Sequence, residues 1–173
     1  LESPVNEIRR AELLLALGEA KHIAGQRDAA HETLRQSAQI ARAHEHWELM
    51  AEAAVAIRGF GELGSRPADD IDALLNDALE RLPDSSPRLR SQLISRMIHG
   101  ADNKVATRAK LAKQALALAE ESGDAVALRD AWFARWWGTL GPDHLDERLE
   151  VVRALGELGQ RTNDLRTQLL SIE

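Results

Sequence analysis

The chain has 173 residues, of which 44% are hydrophobic and 29% charged, as expected for one soluble globular domain with a substantial core. A formal charge of −6 argues against a nucleic-acid-binding face, which needs clustered Lys and Arg. The chain lacks cysteine, which excludes disulfides and thiolate metal sites, and it lacks a long apolar run, so we expect a cytoplasmic location without membrane contact.

Turn and cap residues divide the chain into helices. The prolines lie at predicted helix ends, and Gly123-Asp124 and Asn163-Asp164 have the pattern of a helix stop followed by an N-cap. The β-branched residues never alternate over a useful length, so no strand is predicted. The predicted helices run over 4–24, 28–44, 46–60, 67–82, 87–99, 104–121, 124–139 and 143–160, and a ninth begins at 164.

The helices form repeating pairs. An Ala- and Leu-rich pattern recurs about every 40 residues, and Ile40-Ala41 aligns in this way with Leu118-Ala119. The period predicts an all-α solenoid of about four helical hairpins plus a truncated helix. We therefore expect one helical-repeat domain over 1–173. Because the chain begins at Leu1 and ends within a helical pattern, we interpret it as a fragment of a longer protein.

The first hairpin resembles a tetratricopeptide repeat, which implies a right-handed solenoid. Gly18 and Ala30 lack bulk, so the two helices can approach closely. Leu14, Leu17 and Leu34 are predicted to fill the seam between them. Later hairpins keep the period but depart from the signature. The residues that carry the resemblance are Leu14, Leu17, Gly18, Gly25, Ala30, Leu34 and Ser37.

A second resemblance lies in the segment from Trp136 to Leu149, which follows Ala115 to Asp124. This stretch is similar to the helical-repeat region of large actinobacterial ATP-binding LuxR-type transcriptional regulators. In that family the repeat array acts as a sensor or regulatory arm. The resemblance therefore implies a non-catalytic sensor module of a multidomain regulator. The family's ATPase and DNA-binding domains are not present in the chain.

The repeat register predicts which residues line a binding groove. In tetratricopeptide arrays the first helix of each hairpin lines the concave face, which gives a mildly acidic groove with an aromatic end. Such a groove suits a cationic or mixed peptide, or a small effector. For the aromatic end, core packing is the alternative, and Trp132 is assigned to the core. The groove candidates are Glu12, Glu19, His22, Glu52, Gln92, His99, Asp130, Phe133 and Trp137.

Three motifs carry no chemistry in this context. The glycines from Gly59 to Gly64 match G-x-G-x-x-G, but no βαβ unit surrounds them, so an inter-helix turn is the better interpretation. His44 and His46 have no partner spacing that would bring metal ligands together. Adjacent acidic pairs such as Asp69-Asp70 are explained by helix capping and solubility. No metal, cofactor or catalytic constellation is therefore predicted, and the protein is expected not to be an enzyme.

The predicted function is binding of a ligand or protein partner in the concave groove. The alternative is a tetratricopeptide scaffold that docks proteins and takes no small molecule. No direct nucleic-acid binding is expected from this segment. The C-terminal helix carries Leu165, Leu169, Leu170 and Ile172, and this apolar patch predicts a homodimer.

Overall fold

A computed structural model describes residues 4–58, 69–98, 105–139 and 142–171. These residues form helices and turns and contain no strand, which confirms the all-α prediction. Each of the nine predicted helices is found in order, within a few residues of its predicted ends. They are α1 (Pro4–Ile23), α2 (Arg27–Ala43), α3 (Trp47–Ile57), α4 (Asp69–Arg81), α5 (Pro87–Met97), α6 (Val105–Ser122), α7 (Ala125–Gly138), α8 (Leu145–Thr162) and α9 (Leu165–Leu170), with a 3₁₀ turn over Pro142–His144.

The chain divides into two compact units. The first spans Leu1–Pro83 and contains α1 to α4, and the second spans Asp84–Glu173 and contains α5 to α9. Within each unit successive helices contact one another, and the first helices of successive hairpins also meet, α1 with α3 and α5 with α7. This arrangement is compatible with a solenoid of hairpins. A single domain over 1–173 stays a prediction.

The predicted helix ends and helix starts are seen in the structure. The ends have left-handed backbone conformations, and the starts have side-chain hydrogen bonds that cap the next helix. Gly123 and Asn163 have φ values of +65° and 52°, in the left-handed region where a helix commonly ends. The Asp124 side chain then accepts a hydrogen bond from the backbone N–H of Ala127 at 2.8 Å. Asp164 accepts one from Arg166 N–H at 3.0 Å. These caps satisfy N–H groups that have no partner within the helix, and so they set the points where α7 and α9 begin.

The first hairpin packs through the small residues that its sequence indicated. Ser37 Oγ donates to the Ala11 carbonyl at 2.8 Å, and Lys21 Nζ lies 2.8 Å from Thr33 Oγ1, so α1 and α2 run antiparallel. A Cβ atom placed on Gly18 would lie 2.5 Å from Leu34 Cγ, and Leu34 is fully buried. The glycine is therefore required for this close approach.

One member of the predicted seam lies elsewhere. Leu17 is 48% exposed, whereas Leu14 is half-buried and Leu34 is fully buried. The prediction that Leu17 fills the seam is wrong. Leu17 precedes Gly18 by one residue, and adjacent helical residues point about 100° apart, so only one of the two can face α2.

Ion pairs connect α4 to the rest of the first unit. Arg58, buried at the end of α3, donates to Asp72 on α4. Arg35 and Arg42 on α2 pair with Asp70 and Asp77 on α4. The partners advance together along the two helices, which shows that α2 and α4 run parallel, as alternate helices of two successive hairpins do.

The second unit repeats the antiparallel pairing. Ser91 Oγ on α5 donates to the Ala115 carbonyl on α6 at 2.8 Å, while Ile98 packs with Ala112 nearer the start of α6. On α8, a Cβ atom at Gly159 would meet the Gln168 backbone nitrogen of α9 at 2.7 Å. Because the two backbones approach closely at Gly159, α9 packs directly on α8.

Candidate functional site

Helices α1 and α3 are the first helices of the two hairpins in the first unit, and the face that they form is called the first-helix face here. It carries four of the groove candidates. Glu12, Glu19 and His22 lie on α1 and Glu52 lies on α3, with both Glu12 and Glu19 exposed and the other two half-buried. Glu12 is paired with Arg9 at 2.7 Å on the same helix. Glu19 and Glu52 come from successive hairpins and act on each other electrostatically.

The electrostatics of Glu19 reflect this arrangement. Desolvation by the surrounding helices raises the pKa of the Glu19 carboxyl above its ordinary value of 4.5, and the negative charge of Glu52 raises this pKa further. Both effects disfavour the ionised carboxylate. The repulsion between these two carboxylates opposes the ionisation of Glu19 beside a charged Glu52.

We expect Glu19→Gln to raise the melting temperature at neutral pH. The folded-state pKa of Glu19 is raised, so the folded protein binds more protons than the unfolded chain between pH 4.5 and that pKa, and stability falls as pH rises. The stabilisation by Glu19→Gln should therefore disappear as pH falls below about 4.5, where both states are protonated. Thermal unfolding of the variant and the parent across this pH range measures the difference.

Glu12→Gln is the matched control on the same helix. Its carboxylate is exposed and paired with Arg9, so its removal should give no stabilisation at neutral pH. Glu52→Gln should reproduce part of the Glu19→Gln effect, because it removes one of the two repelling charges. A lower melting temperature for Glu19→Gln at neutral pH would contradict the proposed repulsion.

On the second unit, the register brings Gln92 and Asp130 together, but in the interior. Gln92 is 6% and Asp130 1% exposed, and Gln92 Nε2 lies 3.4 Å from Asp130 Oδ2. Arg96 Nη2 donates to the same oxygen at 2.9 Å, and Arg129 Nη2 donates to Oδ1 at 2.9 Å. These side chains hold α5 against α7 and do not line an open groove in this structure.

Sequence reasoning did not identify the two arginines of this network. Arg96 follows Gln92 by one helical turn and therefore lies on the same face of α5, a relation visible in the sequence. Arg129 is adjacent to Asp130 in the chain, and it also lies 3.7 Å from Asp164 at the start of α9. Because two guanidinium groups flank the carboxylate, the buried charge of Asp130 is compensated.

The aromatic candidates lie on the C-terminal half of α7. Phe133 and Trp136 are stacked, with centroids 6.2 Å apart, and Trp137 stands edge-on to both. All three are half-buried, and Trp137 packs against the core formed by Ile98, Ala112 and Ala134. The cluster therefore packs partly in the core of the second unit. The alternative interpretation, that its rings line a binding groove, stays a prediction.

Two aromatic rings of α7 also carry cationic neighbours. The Arg148 guanidinium lies 5.3 Å from the Trp136 ring centroid, and Arg135 lies 5.6 Å from that of Trp132. Trp132, assigned to the core from its register, is half-buried. The last groove candidate, His99, lies outside the described residues.

Two open grooves lie between helices of the first unit. One of about 440 Å³ adjoins Glu12 and is lined by Val5, Ile8, Arg9 and His44 as well. A second of about 520 Å³ separates α2 from α4 beneath the Arg35–Asp70 and Arg42–Asp77 pairs. The groove beside Glu12 combines a carboxylate with aliphatic walls on the same helix that carries Glu19.

Other motifs have structural roles or lie outside the described ranges. His46 caps α3, since its Nδ1 accepts from Leu49 N–H at 3.3 Å. Within residues 4–58, 69–98, 105–139 and 142–171, no three His, Asp or Glu side chains are grouped as metal ligands would be. None of the helices described is both long and apolar enough to cross a bilayer. The glycines from Gly59 to Gly64 lie in a segment that is not described.

Comparison with protein-family models and with curated proteins finds no match to this chain.

Proposed function

We propose that this chain is a non-catalytic interaction module whose first-helix face, in the first unit, binds a cationic segment of a partner or effector. The observation that supports the proposal is the electrostatic interaction between Glu19 on α1 and Glu52 on α3, which gives this face two carboxyl groups that act on each other. The two residues occupy groove positions of successive hairpins, and their repulsion is relieved when a cation binds. The proposed architecture is a tetratricopeptide-like right-handed solenoid.

The groove beside Glu12 indicates the chemistry of the ligand. Its walls include Val5 and Ile8, and its polar groups include Arg9 and Glu12. A lysine or arginine side chain presents an aliphatic stem and a charged head, so it can contact the apolar walls while its charge meets a carboxylate. A short peptide that alternates basic and aliphatic residues would fit this surface best.

The cellular setting is proposed from the resemblance to LuxR-type regulators. In this proposal the module is the sensing arm of a cytoplasmic, ATP-dependent transcriptional regulator and does not itself contact nucleic acid. A ligand would act by binding one conformation of the parent protein more tightly than another. The second candidate function is a scaffold that docks a protein without sensing a small molecule. The open form of the described grooves favours this second function, since small-molecule sites bury most of their ligand.

Calorimetric titration with a lysine- and leucine-containing peptide tests the cationic site. The double variant Glu19→Gln, Glu52→Gln should bind about tenfold more weakly, because exposed charge pairs contribute up to about 1 kcal/mol each. The same peptide with glutamine in place of lysine should bind neither protein measurably. Equal affinity for the parent and the double variant would exclude the Glu19–Glu52 face as the binding site.

A thermal-shift screen separates the two candidate functions. A metabolite present at about 100 times its Kd should add roughly 2.7 kcal/mol, which is several degrees for a protein of this size. A metabolite hit supports a sensor. Binding of basic peptides without any metabolite hit supports a docking scaffold.

A further inference from the structure

Arg148 on α8 is a half-buried arginine that no carboxylate pairs with in the part of the chain that the structure describes. Its guanidinium lies 5.3 Å from the centroid of the Trp136 ring, and its Nε atom is buried without a hydrogen-bond acceptor. In the same unit, the buried Arg96 and the half-buried Arg129 share the carboxylate of Asp130. A guanidinium has five N–H donors and keeps its charge at any physiological pH, so Arg148 retains donors for an external acceptor.

The aromatic cluster of α7 holds this guanidinium in place. Trp136 is stacked with Phe133 at a centroid distance of 6.2 Å and is in edge-on contact with Trp137 at 5.3 Å. Trp137 in turn packs against the core of the second unit, so the ring beneath Arg148 is supported from the interior. An arginine that already lies on a fixed ring loses little conformational freedom when it binds an anion. Its planar fork of donors is therefore prepared for a planar acceptor.

We propose that Arg148, held on Trp136, binds the carboxylate of a glutamate or aspartate side chain in an acidic segment of a partner protein. A carboxylate is planar and accepts two parallel hydrogen bonds from one guanidinium. Its single negative charge matches the single charge of Arg148, whereas a phosphate dianion would keep an uncompensated charge. The nearby Arg135 does not supply a second free cation, because it pairs with Glu150 at 3.1 Å.

The surroundings of Arg148 favour a protein segment as the ligand. Tryptophan and arginine are the residue types that most often carry the binding energy of protein interfaces. The rings of Phe133 and Trp136 are only half-buried, so they can contact an apolar residue beside the acidic one in the partner. This site lies on the second unit and binds an anion, so it is separate from the cation-binding face proposed for the first unit.

Titration with a blocked peptide of alternating glutamate and leucine, followed by tryptophan fluorescence, tests the site. The parent should show a saturable change, because the peptide binds beside Trp136. Arg148→Met keeps an unbranched apolar side chain on the ring but removes the donors, so it should weaken binding about tenfold to a hundredfold. Arg148→Lys keeps the charge without the planar fork and should show a smaller loss. A peptide with glutamine in place of glutamate should bind the parent no better than the acidic peptide binds Arg148→Met.

Arg153→Met is the matched control, since Arg153 is an exposed arginine on the same helix. It should bind the acidic peptide as the parent does, and so should the Glu19→Gln, Glu52→Gln double variant, which keeps this test separate from that of the cation-binding face. A parent without a saturable change would overturn the proposal, as would equal losses for Arg148→Met and Arg153→Met. If Arg148→Met fails to fold by circular dichroism, Arg148→Lys decides, and parental affinity in that variant would overturn the proposal.

Discussion

Asp130→Ala is expected to destabilise the second unit by about 3–5 kcal/mol, because it leaves the buried Arg96 guanidinium and the partly buried Arg129 guanidinium without their shared carboxylate. The Asp130 side chain is fully buried, and those of Arg96 and Arg129 are 7% and 13% exposed. Solvent cannot replace the lost charge without opening the contact between α5 and α7. Urea denaturation followed by circular dichroism measures the loss, and Asp130→Asn should lose nearly as much, since it removes the charge while keeping the shape.

Asp84→Ala provides the control for an ion pair of the same residue types. Asp84 lies 3.4 Å from Arg90 but is 99% exposed, so water replaces the interaction and no measurable change is expected. Arg96→Met combined with Asp130→Ala should cost less than the sum of the two single changes, because the residues share one network. Additive losses, or a loss for Asp130→Ala no greater than for Asp84→Ala, would show that the buried network contributes little to stability.

Leu34→Ala is expected to destabilise the protein by about 2–5 kcal/mol and to reverse the effect of Gly18→Ala. In the parent, a methyl group on Gly18 would overlap the Leu34 side chain, with atoms 2.5 Å apart, and such overpacking costs about 1–3 kcal/mol. With alanine at position 34, the methyl group enters the vacated space. Gly18→Ala should then stabilise the protein by up to about 1 kcal/mol through helix propensity. Urea denaturation of the four proteins of this cycle gives the coupling energy.

Gly156→Ala is the control glycine in this cycle. A Cβ atom at Gly156 would lie 3.5 Å from Ser171, an ordinary contact, so the substitution should stabilise α8 and show no coupling to Leu34→Ala. If Gly18→Ala had the same effect in both backgrounds, the two side chains would not compete for space. The close approach of α1 and α2 would then depend on other residues.

The two units place the predicted groove positions in different environments. On the first unit Glu19 keeps solvent access and is repelled by Glu52, an arrangement suited to a cationic ligand. On the second unit Asp130, at the register position that Glu52 occupies in the first unit, is buried and neutralised by arginines. In the proposed function this register position binds a ligand in the first unit, through Glu52. In the second unit the same position, Asp130, packs in the interior. For this reason we expect ligand-binding variants to be informative at Glu19 and Glu52, and stability variants at Asp130.

The amino-acid sequence alone determined the helical class, the order of the nine helices and most of their ends. These features depend on interactions within a few residues, such as the Asp124 cap and the left-handed turn at Gly123, so local residue types specify them. The small residue at Gly18 also indicated correctly where two helices approach closely. The periodicity further placed Gln92 near Asp130, because positions that recur at the repeat period lie side by side in stacked hairpins. Glu19 and Glu52 also interact, although their separation is shorter than the repeat period.

The tertiary structure alone decided which of those positions reach solvent. Helical spacing gives the direction of a side chain around its own helix, but not what lies opposite. Leu17 is exposed because Gly18 takes the place against α2, and Asp130 is buried because Arg96 and Arg129 approach from α5 and α7 to neutralise it. The exposure of Leu17 depends on the rotation of about 100° between neighbouring helical residues, and the burial of Asp130 depends on Arg96, which is distant in the chain. A repeat pattern in the sequence specifies neither.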